Sequence, residues 1–443
     1  MEPTVTAPEP AEPPDSHSAV VSRRRLVGVA GLALAGAALS GRVSNRNPRA
    51  VGGAALTSFT RRRRLRVALD DQHAVRLAPL ISRFEEEHDT AIEVMALPAP
   101  DLYSLLAVEL LHETQAVDVV SMSDDWIPSL GRSAVLMSDG DLASDEFVAG
   151  VDQRVIELGR SLGDDRRVAV PWMIDIGFTA VNIDAVGMTT VPRRWSEFAE
   201  LIEGSGSRAL ALAGASGEVA ATTFRAILIG HGSDIVEPVT NRPTVIDYDA
   251  RRAIDVMRRL QALTTVSPLA VDDRAISSFL ARGTITSCVH VWASTWLDAG
   301  APAGWTLLPP LRASAPRGSR LLRCWLLAIP KTALDVELSR TFVAWMLESG
   351  AQRSLLDAGL IPSTMAVLED RDELATRPGL GEIVRGLSSS VARPRLRAFP
   401  DINRVCGEAV AAILADNASP GEAFRAANAE MRRILEREGE LRL

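Results

Sequence analysis

The chain has 443 residues, of which 47% are hydrophobic and 23% are charged, as is common in soluble globular proteins. This length is too great for a single core and predicts two lobes or domains. The formal net charge of −8 argues against a general nucleic-acid-binding protein, because such proteins present a clustered basic face to phosphates.

The N-terminal segment is predicted to be an address rather than part of the fold. Residues 1–21 are rich in Pro, Glu and Ala and are predicted to be disordered. Arg23–Arg25 precede an apolar run, Leu26–Leu39, which is shorter than the roughly twenty residues of a membrane span. The arginines resemble a twin-arginine export signal, with an ordinary secretory signal or an uncleaved anchor as alternatives. The basic run Arg61–Arg64 fits a solvated linker or, alternatively, attraction to anionic lipid.

Strands and helices alternate in the next part of the chain. This alternation predicts a parallel α/β sheet. The predicted elements are strand Leu65–Leu69, a helix through 77–84, strand Ile92–Leu97, a helix over 101–111 and strand Val117–Ser121.

The remainder of the chain continues the mixed pattern and ends in helices. Strands are predicted at Phe178–Val181, Ala209–Ala213, Ile285–Val291 and Trp325–Ile329. Helices are predicted over 195–202, 222–229, 252–263, 273–281, 338–347, 402–414 and 420–435.

The sequence gives no sign of a cofactor or metal site. Gly204–Ala209 fits a dinucleotide-binding pattern formally, but it follows a predicted helix and precedes a strand, the reverse of the required context. Cys288, Cys324 and Cys406 are far apart and form no zinc motif. One disulfide and buried free thiols are equally compatible with them. We therefore expect no cofactor and no metal.

Acidic and tryptophan side chains cluster where predicted strands end. Ligands of open parallel sheets bind beyond these carboxyl ends. Carboxylates accept hydroxyl hydrogen bonds and indole rings offer apolar platforms, a combination suited to a polyhydroxylated ligand. For any one residue, helix capping or core packing is an equally good explanation. The residues are Asp70 and Asp71, then Asp124, Asp125 and Trp126, then Trp292 and Trp296.

Several segments, in order, resemble the sugar-binding family of extracellular solute-binding proteins that serve ABC importers. The resemblance extends from Leu65 to about Leu435, and no single motif is specific. The segments are Val117–Trp126, Val170–Asp175 with Val181–Asp184, Pro192–Phe198, Phe279–Thr286 followed by Trp292, Leu327–Pro330 and Gly359–Pro362.

The resemblance implies two α/β lobes, each with a mostly parallel sheet flanked by helices, and a ligand cleft between them that closes by hinge motion. Residues 1–64 would precede the fold. Lobe 1 would comprise 65–172 and about 303–350, and lobe 2 would comprise 173–302 and about 351–443. The implied partners are a small solute, most simply a carbohydrate, and membrane permease subunits, with the chain acting as a monomer and not as an enzyme.

The resemblance also implies ligand-binding residues. Acidic side chains would accept ligand hydroxyls, and tryptophans would stack on the ligand. The family's tyrosine before Asn182 is Val181 here, and the chain has only two tyrosines, which favours a small ligand over a long oligosaccharide. The expected residues are Asp70, Asp71, Asp124, Asp125, Asp175, Trp292 and, as a weaker candidate, Trp325.

The mode of attachment departs from many relatives. Leu39-Ser40-Gly41 is followed by Arg42, so the cysteine of a lipoprotein signal is absent. We expect an exported protein that is cleaved after Ser40 or held by its uncleaved apolar segment. Two other functions remain open: an extracytoplasmic sensor or adaptor with the same fold, and a secreted enzyme that uses paired carboxylates on a glycoside.

Overall fold

A computed structural model describes residues 62–442, with gaps at 131–142, 163–165, 208, 314 and 316–317. The predicted disordered N-terminus, export signal and cleavage site therefore lie outside the described residues. In the part of the chain that is described, no helix is both long enough and apolar enough to cross a membrane.

The described residues contain every strand that the sequence predicts, with shifted bounds, and three short strands that it does not predict. The strands are β1 Arg63–Asp70, β2 Thr90–Leu97, β3 Val119–Ser123, β4 Val170–Asn182, β5 Leu210–Ala211, β6 Ser287–Trp292, β7 Trp305–Leu307, β8 Arg320–Ala328, β9 Ile361–Pro362 and β10 Ser390–Val391.

The predicted helices are also present, together with several short ones. The α-helices are α1 Asp71–Glu87, α2 Ala99–His112, α3 Ile127–Leu130, α4 Asp145–Ala149, α5 Gln153–Ile156, α6 Trp195–Gly204, α7 Gly217–Leu228, α8 Tyr248–Gln261, α9 Asp273–Arg282, α10 Ala293–Asp298, α11 Val336–Met346, α12 Ser349–Asp357, α13 Met365–Leu368, α14 Arg371–Thr376, α15 Leu380–Ser388, α16 Phe399–Leu414 and α17 Pro420–Arg437. A 3₁₀ turn over Asp124–Trp126 follows β3.

The strands form one mixed sheet in the order β2-β1-β3-β8-β4-β6-β5. In the first lobe, β1 pairs in parallel with β2 and β3, as predicted. Helix α1 connects β1 to β2 and buries Leu77, Leu80, Ile81 and Phe84 on one face, because these residues recur at helical spacing. The carboxyl ends of β1 and β3 therefore meet at one edge of the sheet.

Two long strands connect the lobes. The first half of β4 pairs antiparallel with β8, and its second half pairs with β6 and β7. Strand β8 also runs antiparallel to β3. The two-lobed α/β class is confirmed, but the sheet is less parallel than expected, because β4 and β8 run between the lobes in opposite directions.

The pairing divides the chain between lobes differently from the predicted ranges. Strand β7 lies in the predicted lobe 1 range of about 303–350, but it pairs with the second half of β4 in the second lobe. Conversely, residues 351–387 contribute Leu355 and Leu387 to the same hydrophobic cluster as β1. Helix α12 packs against the first lobe, because Arg83 of α1 donates a hydrogen bond to Ser354 of α12 at 3.2 Å.

Two large hydrophobic clusters form most of the core of the described residues. The larger surrounds the first-lobe strands and includes an edge-on contact of Phe84 with Phe342 at 5.0 Å. The smaller lies among the helices of the second lobe, where Phe224 of α7 meets Phe424 of α17 at 5.4 Å. Burial of each such ring contributes roughly 1.5–3 kcal/mol.

Two features left open by the sequence are now defined. All three cysteines are buried free thiols, so no disulfide joins them. Part of the basic run belongs to the fold: β1 begins at Arg63, which is bound by Asp335, while Arg62 forms an ion pair with Asp89. Residues 62–64 therefore belong to the fold and not to the predicted linker.

Candidate functional site

A cleft with a volume of about 1010 Å³ lies between the lobes. Its wall comprises the residues that follow β1, β3 and β6, the first turn of α7 and one side of α16. This volume is at the upper end of the range for small-molecule sites, about 300–1,000 Å³. Five of the seven predicted residues line the cleft, namely Asp70, Asp71, Asp125, Trp292 and Trp325.

The first pair of acids takes up two different roles. Asp70 caps α1, because its Oδ1 accepts a hydrogen bond from the Gln72 amide at 3.0 Å. It is only 5% exposed, and burial raises the pKa of its carboxyl. Asp71 forms an ion pair with Arg274 of α9 at 3.1 Å. Asp70 therefore presents a buried carboxylate to the cleft, whereas Asp71 is paired with a second-lobe cation.

The second pair of acids surrounds Arg393, which lies between β10 and α16. The guanidinium of Arg393 is 2.7 Å from Asp124 and 2.9 Å from Asp125. Asp124 also accepts the Cys324 amide at 2.9 Å, and Asp125 accepts the Ser123 hydroxyl at 2.5 Å. Asp124 does not line the cleft. Of the two, Asp125 is the one whose side chain reaches the cleft.

Asp175 supports the site from inside the crossing strand β4. Its Oδ2 accepts the Ser294 hydroxyl at 2.5 Å and the Arg323 guanidinium at 3.0 Å. Its Oδ1 accepts the amides of Ile176 and Ser294, both at 3.0 Å. Both oxygens are therefore occupied, and only 4% of the residue is exposed. Asp175 does not line the cleft, contrary to what the family resemblance implied.

The two predicted tryptophans are largely buried. The guanidinium of Arg323 lies 4.0 Å from the ring centre of Trp292, and His290 packs against this ring edge-on at 4.7 Å. One face of the Trp292 ring is therefore covered by a cation and is not free to stack on a ligand. Trp325 is 8% exposed. Its ring makes edge-on contacts with His73 and Trp126, with ring centres 4.7 and 5.9 Å apart.

An aromatic row extends from Trp325 along the first-lobe wall. Trp126 meets Tyr103 of α2 at 5.5 Å with the rings inclined by 65°. Tyr103 is half-buried, more accessible than either tryptophan, and it lines the cleft. The most accessible aromatic surface of the site is therefore a tyrosine that the sequence analysis did not select.

Other cleft residues were not predicted from the sequence. Glu218 in the first turn of α7 could have been found, since it follows the predicted strand Ala209–Ala213 and belongs to the same strand-end rule. No local signal marks the others, because distant segments bring them together. They are Tyr103, Asp273, Arg274, Arg323 and Arg393.

Glu218 faces the first lobe from the opposite wall. In the described part of the chain, no hydrogen bond or ion pair reaches its carboxylate, although the residue lines the cleft. The residue is exposed to the cleft, but desolvation by the surrounding cleft walls raises its pKa, as does the negative charge of Asp125, while Arg393 and Arg323 oppose this effect. Three buried side chains on the same cleft also carry unpartnered polar atoms: Thr223 Oγ1, His290 Nε2 and Asn403 Oδ1.

The remaining titratable groups respond mainly to burial. Burial lowers the pKa of both His73 and His290 to about 3, so both imidazoles are neutral near pH 7. Burial raises the pKa of Asp273 to about 6, and the Arg323 guanidinium 3.9 Å away opposes this rise. Among the described residues, no group of three or more His, Cys, Asp or Glu side chains could hold a metal ion.

A model of the family described as bacterial extracellular solute-binding proteins matches residues 71–353, more than half of the chain. The chain belongs to this family. Its members are binding proteins of the ABC-importer type, and the family description implies export from the cytoplasm. None of the curated proteins compared with this solute-binding protein matches it.

Solved structures share the fold of this solute-binding protein at low sequence identity. Maltose-bound MalE3 of T. maritima is 18% identical, with a TM-score of 0.76 over 84% of this chain and 100% of the other. The GacH receptor of Streptomyces glaucescens, solved unliganded and with acarbose, is 19% identical, with a TM-score of 0.74 over 85% and 99%. A ribitol complex from Agrobacterium radiobacter is 18% identical, with a TM-score of 0.74 over 84% and 98%.

Proposed function

We propose that this chain is the binding subunit of an ABC importer and captures an extracellular polyhydroxylated solute, a sugar or a polyol. The observation that carries the proposal is the cleft itself, where buried carboxylates at strand ends lie beside an aromatic row. Carboxylates accept hydroxyl hydrogen bonds, and rings cover the apolar faces of a sugar. The maltose, acarbose and ribitol named for the similar structures agree with this class of ligand.

We assign direct ligand contact to residues that reach the cleft. Asp70, Asp71 and Asp125 would accept hydroxyl groups, and Tyr103 and Trp325 would contact the apolar face of the ligand. Asp124 and Asp175 would act indirectly, by holding Arg393 and Arg323. Trp292 would hold the Arg323 guanidinium through a cation–π contact and would not stack on the ligand.

Ligand capture would proceed by hinge closure about β4 and β8. Both strands pass from one lobe to the other, so small changes in their backbone angles would rotate the lobes and close the cleft. Closure removes the ligand from water and strengthens its hydrogen bonds. The closed form would then be the one that a permease recognises.

A thermal-shift screen of neutral sugars and polyols tests the binding function. A ligand at 100 times its Kd stabilises the folded protein by about 2.7 kcal/mol, which is a measurable rise in Tm. The chain provides a matched pair of variants, because one tyrosine lies in the cleft and the other is 71% exposed elsewhere. Tyr103→Ala should abolish most of the shift and Tyr248→Ala should not. Absence of a shift with every neutral sugar and polyol would contradict this class of ligand.

Export forms a separate part of the proposal. We infer that Arg23–Arg25 and the apolar run after them direct export, with cleavage after Ser40. N-terminal sequencing of the exported protein should begin at Gly41. An exported form that retains Leu26–Leu39 would instead identify this segment as the anchor.

A further inference from the structure

The cleft contains more acidic than basic side chains, and its arginines are already paired. Arg323 lies between Asp175 and Asp273, at 3.0 and 3.9 Å. Arg393 lies between Asp124 and Asp125. Each of these two guanidiniums therefore faces two carboxylates, which leaves little positive charge for an anionic ligand.

The other three arginines that line the cleft are also occupied, and one of them, Arg225, pairs with Asp234 at 2.7 Å. Arg274 pairs with Asp71 at 3.1 Å. Arg404 of α16 is 2.7 Å from Glu408 and 3.8 Å from Asp401. No unpaired guanidinium remains among these five.

Two cleft carboxylates have no cationic partner in the described part of the chain. Asp70 has His73 at 3.9 Å, whose low pKa keeps the imidazole neutral, and it feels the charge of Arg323 without forming an ion pair with it. Glu218 has neither an ion pair nor a hydrogen bond there. The charges of Asp70 and Asp125 both raise the pKa of Glu218, which means that these three carboxylates act on one another across the cleft.

We propose that the solute bound in this cleft is a hydroxylated molecule that carries a protonated amine, such as an amino sugar, with Glu218 and Asp70 as the partners of the ammonium group. This inference rests on the proposed function. An ammonium group donates up to three hydrogen bonds and neutralises the carboxylates that the arginines leave unpaired. A metal ion is a poorer candidate, because the described residues contain no ligand set for one.

Independent observations indicate where the rest of this solute binds. Thr223 Oγ1, His290 Nε2 and Asn403 Oδ1 lie in residues that are 0%, 4% and 8% exposed, and none of these atoms has a hydrogen-bond partner among the described residues. All three residues line the same cleft. Buried polar atoms without partners are costly; these atoms are covered, so solute hydroxyl groups would satisfy them after the surrounding side chains shift on binding.

Calorimetric titration of the full-length protein with three matched disaccharides tests the proposal. The β-1,4 disaccharide of glucosamine, its N-acetylated form and cellobiose differ only at the C2 substituent. At a pH where the amine is protonated, the glucosamine disaccharide should bind at least about tenfold more tightly than the other two, because it adds a charge-assisted hydrogen bond. Added salt should reduce this preference.

Two variants test the residues, and a third serves as the control. Glu218→Gln should reduce the preference for the amine by about tenfold, and Asp70→Asn should reduce it similarly while keeping a good N-cap for α1. The matched control is Glu337→Gln, since Glu337 occupies the same first-turn position in α11 and its side chain is 89% exposed. The control should leave the preference unchanged.

The outcomes separate this inference from the proposed function. Equal affinity for cellobiose and the glucosamine disaccharide, or an unchanged preference in both Glu218→Gln and Asp70→Asn, would overturn the inference and leave the proposed function intact. Binding of spermidine without any disaccharide would support cation selection and contradict a sugar ligand. Failure of all four compounds to bind would count against both.

Discussion

Two arginines determine how the acidic side chains of the cleft are used. Arg323 and Arg393 come from a crossing strand and from the segment after β10, and each is held by carboxylates more than 40 residues away in sequence. Asp124 and Asp175 consequently balance protein charge, although the strand-end position of Asp124 and the family resemblance at Asp175 suggested ligand contact. Sequence could predict that these acids lie near the site, but not which of them face an arginine.

The Arg393 cluster should be essential for stability. The side chain of Arg393 is 13% exposed and that of Asp124 is 2% exposed. Removal of one partner from a buried ion pair leaves an uncompensated charge and costs about 3–5 kcal/mol. We therefore expect Arg393→Gln to lower the free energy of unfolding by about this amount in urea titrations.

A second variant and a surface pair serve as controls for the Arg393 prediction. Adding Asp124→Asn to Arg393→Gln should recover part of the lost stability, because it removes one of the unpaired charges. Arg433→Gln breaks an exposed pair with Glu430 and should change stability by less than about 1 kcal/mol. Equal effects of Arg393→Gln and Arg433→Gln would show that the buried charges are not costly.

His290 should make stability depend on pH. Burial lowers its pKa from 6.5 to about 3, so the unfolded chain binds a proton below pH 6.5 while the folded protein does not. Stability should therefore fall as the pH falls from about 6.5 toward 3. Between pH 7 and pH 5 this one group should remove about 2 kcal/mol.

The pH effect of His290 is measured as a difference between two proteins. His290→Gln should lose about 2 kcal/mol less than wild type when urea unfolding at pH 7 is compared with unfolding at pH 5. Because each protein is compared with itself at the two pH values, the stability cost of the substitution itself drops out of the result. His112→Gln, which replaces an exposed imidazole at the end of α2, should lose as much as wild type. An unchanged pH dependence in His290→Gln would contradict the burial argument.

Among the helices and strands, the amphipathic segments were predicted best from the local sequence pattern. Helix α1 and strands β1 to β3 appear close to their predicted positions, because their apolar residues follow a helical period or form short buried runs. Strand β4 was predicted only over Phe178–Val181, although it begins at Val170. Its earlier residues are buried on both faces, so they show no alternation by which a strand is recognised.

The contact between α7 and α16 forms the base of the second-lobe wall and depends on glycine. A Cβ atom at Gly407 of α16 would lie 1.7 Å from the backbone oxygen of Gly217 at the start of α7. Gly407→Ala should therefore force the two helices apart and destabilise the protein by at least about 1–3 kcal/mol. Because α7 also carries Glu218, the same variant should weaken ligand binding.

A second helical glycine provides the control for the α7–α16 contact. At Gly421 of α17, an added Cβ would approach only the flexible end of Arg425, at 3.4 Å. Gly421→Ala should be neutral or stabilising by a few tenths to about 1 kcal/mol, since alanine is the better helix former. Thermal unfolding of both variants compares them directly. Similar effects of the two substitutions would contradict the close-approach argument.

For the whole molecule, the order of the elements indicated two α/β lobes and the family resemblance supplied the crossing strands. Neither predicted that α12 packs against α1 in the first lobe, because this contact joins segments 271 residues apart in sequence. The same limit applies to the site. Asp70 and Asp125 follow strands that converge at one edge, which a strand-end rule can predict. Tyr103 reaches the cleft from α2 and Arg393 from the segment after β10, and the strand-end rule applies to neither of these positions.

Two ion pairs connect α1 of the first lobe to the second lobe beside the cleft. Arg274 of α9 pairs with Asp71 at 3.1 Å, and Arg76 of α1 pairs with Asp298 of α10 at 3.0 Å. These pairs must break if the lobes separate about β4 and β8. Each is partly exposed and should contribute at most about 1 kcal/mol to the closed arrangement.

Loss of both pairs should therefore shift the ligand-free protein toward a more open form. In small-angle X-ray scattering, Arg76→Gln combined with Arg274→Gln should increase the radius of gyration, and high salt should produce a similar change in wild type because it screens exposed pairs. Arg282→Gln is the matched control, because Arg282 lies on the same helix as Arg274 and bonds only to Ser278 within that helix. A radius of gyration that responds to neither the double variant nor salt would mean that the crossing strands alone set the angle between the lobes.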